Sequence, residues 1–276
     1  MQFNSNSGTI SILGCGWYGF ELAKKLITLG YTVKGSTTTP GKLLAMAEAG
    51  IKPYLLNFEA GTQNYPEAFF EADLLIINIP PKRHTDQIEQ YLVKIEKIAV
   101  LAALHHIKDL IFISASSVYG DFKKTVTELS PTLPQTLSGK QVLKAEQLLR
   151  AKPFNTTILR FSGLVGPGRH PGRFFAGKKD VPNGKAPINL IHLDDCIGLT
   201  LQIIKLQAFG YTFNASAPQH PEKQKFYTAA AKTINLEEPH FIDELKEWKI
   251  ISSIQVPKLL NYKYKTANWM DWLQDN

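Results

Sequence analysis

The sequence predicts an α/β protein, a doubly wound, parallel Rossmann-type sheet with a smaller C-terminal substrate-side lobe. Three observations predict it. A β-branched apolar run, Thr9–Leu13, stops abruptly at Gly14-Cys-Gly16-Trp-Tyr-Gly19. That glycine stretch opens a segment with helical periodicity, and strand-like and helix-like segments then alternate as far as Phe161. Parallel neighbours cannot be joined by tight hairpins, so strands alternating with helices imply a parallel sheet with helical crossovers.

Taken in order, Thr9–Leu13 (TISIL) reads as a buried strand. From Trp17 to Leu29, apolar residues recur at Phe20, Leu22, Ala23, Leu26 and Ile27, and Gly30 follows as C-cap. Tyr31–Val33 starts a second strand and completes one βαβ unit. Leu43–Ala49 is expected to be helical and Pro53–Asn57 to be a third strand. Asp73–Ile79 (DLLIINI) reads as a fully buried strand stopped by Pro80-Pro81. His84–His106 reads as a long helix and Asp109–Ser114 as the next strand. Lys140–Arg150 and Thr156–Phe161 add a helix and a strand. Beyond them the pattern loosens into a Gly-, Pro- and Arg-rich stretch, Gly163–Gly177, with short elements expected at Asn189–His192, Asp194–Ile204 and Tyr211–Asn214. The expected division is a dinucleotide-binding domain at 1–162, with return segments from the C-terminal half, and a substrate-side lobe with completing elements at 163–276.

Composition narrows the function classes. The chain has 276 residues, 44% of them hydrophobic, enough for a sizeable core. Its formal net charge of +7 comes from lysines scattered along the chain. There is no basic stripe interleaved with aromatics, so nucleic acid is not the expected partner. No apolar stretch approaches the roughly 20 residues of a spanning helix, and the N-terminus lacks a basic region followed by an apolar run. Cys15 and Cys196 are far apart, with no CxxC and no zinc-like spacing, so no metal site is expected. A disulfide at Cys15 would block the glycine loop, and a reduced, cytoplasmic protein is the expectation.

The glycine stretch carries the chemistry. Gly14 permits a tight turn, Gly16 admits close backbone approach to a pyrophosphate, and Gly19 lets helix pack on strand. Trp17 and Tyr18 lie on the helix N-terminus, whose free N–H groups favour phosphate. NAD sites usually place an acid at the end of the second strand. Here that end reads Val33-Lys-Gly-Ser-Thr-Thr-Thr39, and Ser36, Thr37 and Thr38 with Lys34 and Lys42 nearby suit the 2′-phosphate of NADP better than NAD. Asn78, Pro80 and Ser114, at the ends of later strands, are expected to line the cofactor channel. Tyr119 and Ser116 are candidate hydroxyls for a substrate carbonyl. Arg169, His170 and Arg173 form a cationic loop suited to an anionic substrate or a cofactor phosphate. His192 with Asp194 and Asp195 reads as structural, Asp194 capping the helix that starts there.

Ser114-Ala-Ser-Ser-Val-Tyr-Gly120, Leu159-Arg-Phe-Ser-Gly-Leu-Val-Gly-Pro-Gly168 and Asn189-Leu-Ile-His-Leu-Asp-Asp195 together resemble the extended short-chain dehydrogenase/reductases, the NAD-dependent epimerase/dehydratase group. The likeness covers most of the chain. It is nearest to an atypical bacterial branch with GxGWxG at the front and, here at Gly166–Phe175, GPGRHPGRFF. The resemblance implies a catalytic Tyr and a Lys four residues later on one helix, assisted by a Ser. This chain departs from it, with Ser138 in the tyrosine's place, Val142 in the lysine's and Ala115 in the serine's. The literal Tyr119-Gly-Asp-Phe-Lys123 lies in a polar loop. The resemblance thus implies an NADP-dependent oxidoreductase or epimerase-like enzyme acting on a small anionic metabolite, with proton transfer by Tyr119, Ser116, Ser138 or water. The alternative is a non-catalytic NADP(H)-binding redox sensor or partner-binding module. It also implies a homodimer, through the helices His84–His106 and Lys140–Leu149.

Overall fold

The computed structural model describes residues 8–58, 65–81 and 85–275. The first half runs β1 (Thr9–Leu13), α1 (Trp17–Thr28), β2 (Thr32–Thr37), α2 (Leu43–Glu48), β3 (Lys52–Leu55), β4 (Leu74–Ile77), α3 (Thr85–Leu104) and β5 (Asp109–Ala115). Then come β6 (Lys124–Val126), α4 (Leu137–Arg150), β7 (Asn155–Phe161), β8 (Gly163–Val165), β9 (Leu190–His192) and α5 (Leu193–Leu206). The chain ends with β10 (Thr212–Ala215), α6 (Lys223–Thr233), β11 (Lys249–Ile251) and α7 (Trp269–Asp275). The expected strands and helices up to Phe161 are present with boundaries shifted by a few residues. His84, the expected start of the long helix, lies outside the described residues.

Seven strands form one sheet in the order β3-β2-β1-β4-β5-β7-β10, every pair parallel. Chain order reverses between β1 and β4, and ligands of such sheets bind outside the strands' carboxyl ends at that crevice. Alternation along the central strands sorts the core into two layers. Ile10, Ile12, Leu74 and Ile76 meet Leu22 and Leu26 of α1 and Leu199 and Ile203 of α5. Leu75, Ile77 and Phe112 meet Ile95 and Ile98 of α3 and Val142 and Ala145 of α4. A third buried cluster joins Val165, Leu190, Phe226, Tyr227 and Trp269, below the loop that follows β8. β8 and β9 pair beside this cluster, and β6 pairs with β11.

One cap differs from expectation. α5 is capped by His192, whose Nδ1 accepts the Asp194 N–H at 3.2 Å. That nitrogen is therefore an unprotonated acceptor, and the Asp194 carboxylate 3.9 Å away makes no ion pair with it. Burial lowers the His192 pKa in the same sense. Asp195 is fully buried and accepts from the Tyr262 hydroxyl and from the Lys265 and Thr266 N–H groups, pinning the C-terminal segment to α5.

Candidate functional site

The glycine loop is held from both sides by side chains that follow from strand register. The Gly14 N–H donates to Ser36 Oγ at 3.0 Å, and Asn78 Nδ2 donates to the Gly14 carbonyl at 2.9 Å. Gly14 has φ +103, and a Cβ there would lie 2.6 Å from the Asn78 carbonyl oxygen. A Cβ on Gly19 would lie 2.4 Å from the Gly14 carbonyl oxygen, so α1 approaches β1 this closely only with glycine. Gly16 is different: nothing lies within 4 Å of an added Cβ, and no side chain caps α1 there. Its open face and the bare N–H groups of the helix are a fitting cradle for a pyrophosphate. Cys15 between them is buried, its thiol pushed up to about 12 by desolvation.

Two cavities meet over Gly16, Asn78, Pro80 and Tyr91. The first, about 370 Å³, lies at the carboxyl ends of β1 and β2 and includes Ser36, Thr37, Thr38, Lys42, Phe58 and Lys94. No acidic side chain lines it among the described residues. Thr38 and Lys42 are exposed there, whereas Ser36 and Thr37 also serve the loop, Thr37 Oγ1 accepting the Thr39 N–H at 3.1 Å. Lys34 does not join them. Its stem is buried and its Nζ donates to the carbonyls of Ala68 and Glu71 at 2.5 and 2.6 Å, which holds the amine away from the cavity where the sequence placed it beside a phosphate.

The second cavity, about 380 Å³, lies across the crevice and includes Ser114, Ala115, Val142, Phe161, Ser162 and Arg169. Ser114 is 4% exposed and its Oγ–H donates to Glu146 Oε1. Glu146 in turn takes Arg160 Nε at 2.9 Å and Arg160 Nη2 at 2.6 Å, both side chains being buried. Ser162 Oγ, in a residue 5% exposed, has no partner among the described residues.

The expected acid/base residues are not brought together. Tyr119 is 2% exposed, and its ring packs with Val142 and Ala145 in the core rather than entering the crevice. Its hydroxyl accepts from Arg160 Nη1 and lies within hydrogen-bond distance of the Thr127 carbonyl and Asn214 Oδ1, with burial raising its pKa. Arg160 comes from β7 and Asn214 from β10, so only the folded sheet reveals that the tyrosine is internal. Ser116 begins a single 3-10 turn, and its carbonyl accepts the Tyr119 N–H. Ser138 sits half-buried in the first turn of α4, 3.4 Å from Thr136 Oγ1. Val142 walls the cleft where the resemblance would place a lysine.

Of the cationic loop, Arg169 reaches the cleft. Its guanidinium stacks 4.3 Å from the Trp17 ring, and Trp17 Nε1 donates to the Pro167 carbonyl at 2.7 Å, tying the loop to the start of α1. His170 instead accepts the Gly172 N–H on Nδ1 and stacks on Trp272, and desolvation lowers its pKa. Arg173 is exposed at the end of the turn Pro171–Arg173 and lines neither cavity. Tyr18 likewise serves packing: its hydroxyl meets Thr200 Oγ1 at 2.6 Å and its ring stands edge-on to Phe161.

Tyr91, Lys94 and Ser162 were not read from sequence. Tyr91 and Lys94 are spaced i, i+3 on one face of α3, and Ser162 directly follows a strand at the ligand edge; both signals were available. Glu146 and Arg160 were legible as charges on otherwise apolar faces. Among the described residues no group of three or more metal-ligating side chains converges, and no helix is long and apolar enough to cross a membrane.

Residues 9–102 match the family model described as NADP oxidoreductase, coenzyme F420-dependent. The chain is 38% identical over 262 residues to the protein YeeZ of Escherichia coli strain K12, covering 93% of this chain and 95% of that one. A short-chain dehydrogenase/reductase superfamily protein of Agrobacterium tumefaciens, solved with bound NAD, shares the fold at a TM-score of 0.78 and 16% identity, covering 97% and 95% of the two chains. The UDP-glucuronic acid 4-epimerase of Bacillus cereus, solved in complex with NAD, does so at 0.78 and 17%, covering 97% and 99%.

Proposed function

The chain belongs to the family of the Escherichia coli protein YeeZ, and from that premise we propose that it is an atypical extended short-chain dehydrogenase/reductase that binds NADP(H) as a dinucleotide-binding module. It does not act as a tyrosine-dependent dehydrogenase or epimerase. The observation that carries this is the pairing of an intact glycine cradle with a second cavity faced by Ala115 and Val142, while Tyr119 is tied into the core.

Gly16 and the N-terminus of α1 would hold the pyrophosphate, with Arg169 above them. Thr38 and Lys42, in a cavity with no acidic lining residue among those described, favour a 2′-phosphate over a free ribose hydroxyl. The bound nicotinamide would bring hydride chemistry to the second cavity. The Ser114 hydroxyl there is directed away from the cleft, its proton donated to Glu146, whose two oxygens also take Arg160. The unpartnered Ser162 hydroxyl beside Arg169 favours a second reading, an oxidoreductase on a small anionic metabolite with water as proton carrier. We further read 1–162, with return segments from the C-terminal half, as the cofactor domain and 163–276 as the substrate-side lobe with completing elements, supported by the separate third cluster. Exposed Val93, Val100 and Leu104 along α3 support a homodimer, and two free buried cysteines support a cytoplasmic protein.

Calorimetric titration with NADPH and NADH tests the reading. NADPH should bind at least about tenfold tighter, and Lys42→Ala should remove most of that difference, one charged hydrogen bond being worth roughly 1.5–3 kcal/mol. Equal affinity for the two nucleotides would remove the NADP assignment. Cofactor-dependent turnover of a small hydroxy or oxo acid would favour the second reading.

A further inference from the structure

NADP+ and NADPH present the same phosphates, and only the nicotinamide ring changes, from a cation to a neutral ring. A site tells the two apart only through what faces that ring. Here the second cavity is walled largely by apolar groups, among them Pro81, Ile113, Val142 and Leu164. The charged side chain lining it among the described residues is a cation, Arg169. The nearby carboxylate of Glu146 offers no compensation. One oxygen takes the Ser114 hydroxyl and Arg160 Nε, the other takes Arg160 Nη2, and the side chain is buried behind the cleft wall. A pyridinium ring entering this space would lose hydration, meet no anion and feel Arg169; a dihydropyridine ring would meet only the apolar walls.

We propose that the site is selective for the reduced cofactor: the protein takes up NADPH and discriminates against NADP+, so that its loaded fraction reports the reduction state of the pool. The inference rests on the NADP(H)-binding reading above and gives that module a regulatory input.

The test is titration of the intact protein with NADPH and NADP+ separately, followed by calorimetry. NADPH should bind tighter by several-fold to on the order of tenfold, the size expected of one partly screened cation near the ring. Arg169→Gln, a change at an exposed position, should narrow the ratio. Leu164→Glu, which places a carboxylate on the half-buried cleft wall, should raise NADP+ affinity relative to NADPH. Melting curves without nucleotide check that both variants fold. Equal affinities, or tighter NADP+, in the wild-type protein overturn the inference and leave NADP(H) binding standing. Binding of neither form overturns both.

Discussion

Replacing Glu146 with Gln strikes the buried pair that backs the second cavity. Its partner Arg160 keeps its charge, because a guanidinium is not deprotonated in a protein. The two side chains are 3% and 8% exposed, so water cannot replace the carboxylate. A glutamine in the same place can accept one Arg160 N–H, but its NH2 turns a donor toward the other. Removing one member of a buried ion pair costs about 3–5 kcal/mol. At roughly 2–4 °C per kcal/mol for a chain of this size, the melting temperature should fall by about 6–20 °C. Circular dichroism on heating, with urea unfolding as a check, measures it. A paired control, Glu146→Leu with Arg160→Met, should recover much of the loss, since apolar replacement of both partners is often neutral or stabilising. A loss under about 1 kcal/mol for Glu146→Gln, the size expected of an exposed pair, would refute the reasoning.

Two other outcomes follow from local geometry. Gly19→Ala forces a Cβ to 2.4 Å from the Gly14 carbonyl oxygen, so α1 must move; stability should drop by about 1–3 kcal/mol in urea unfolding, together with NADPH affinity. His170 and His192 have pKa values held below the ordinary 6.5 chiefly by burial. The unfolded chain therefore binds protons first, and stability should fall as pH drops through about 6.5 until the lowered folded values are passed. Melting temperatures from pH 7.5 to 5 should show this slope, reduced in His192→Asn; an equal slope in that variant would contradict it.

The sheet and the glycine loop were legible because each rests on short-range information. Short apolar, β-branched runs mark β1, β4 and β5, Gly14 and Gly19 each answer a local steric demand, and Gly16 leaves its face open. Ser36 was legible by position, though its hydroxyl also receives the Gly14 N–H. Tyr119 misled because its surroundings, Arg160 and Asn214, are brought by strands far along the chain. Lys34 misled for a related reason: it lies one residue pair from Ser36, yet the turn at Ala68 and Glu71 captures its amine. The loop at Gly166–Phe175 read as uniformly cationic, but Trp17 draws in Arg169 while Trp272 draws away His170.

The most direct measurement of the central claim is NADPH titration of Gly16→Val beside the wild-type protein. Gly16 has φ −86 in extended backbone and open space where a Cβ would go, so the variant should melt at an unchanged temperature. Its new side chain would stand where the pyrophosphate lies, and NADPH affinity should fall by on the order of a hundredfold or more, as expected when close backbone approach is blocked. Unchanged NADPH binding by the folded variant would mean that the dinucleotide does not cross the glycine loop, and the proposed function would be wrong.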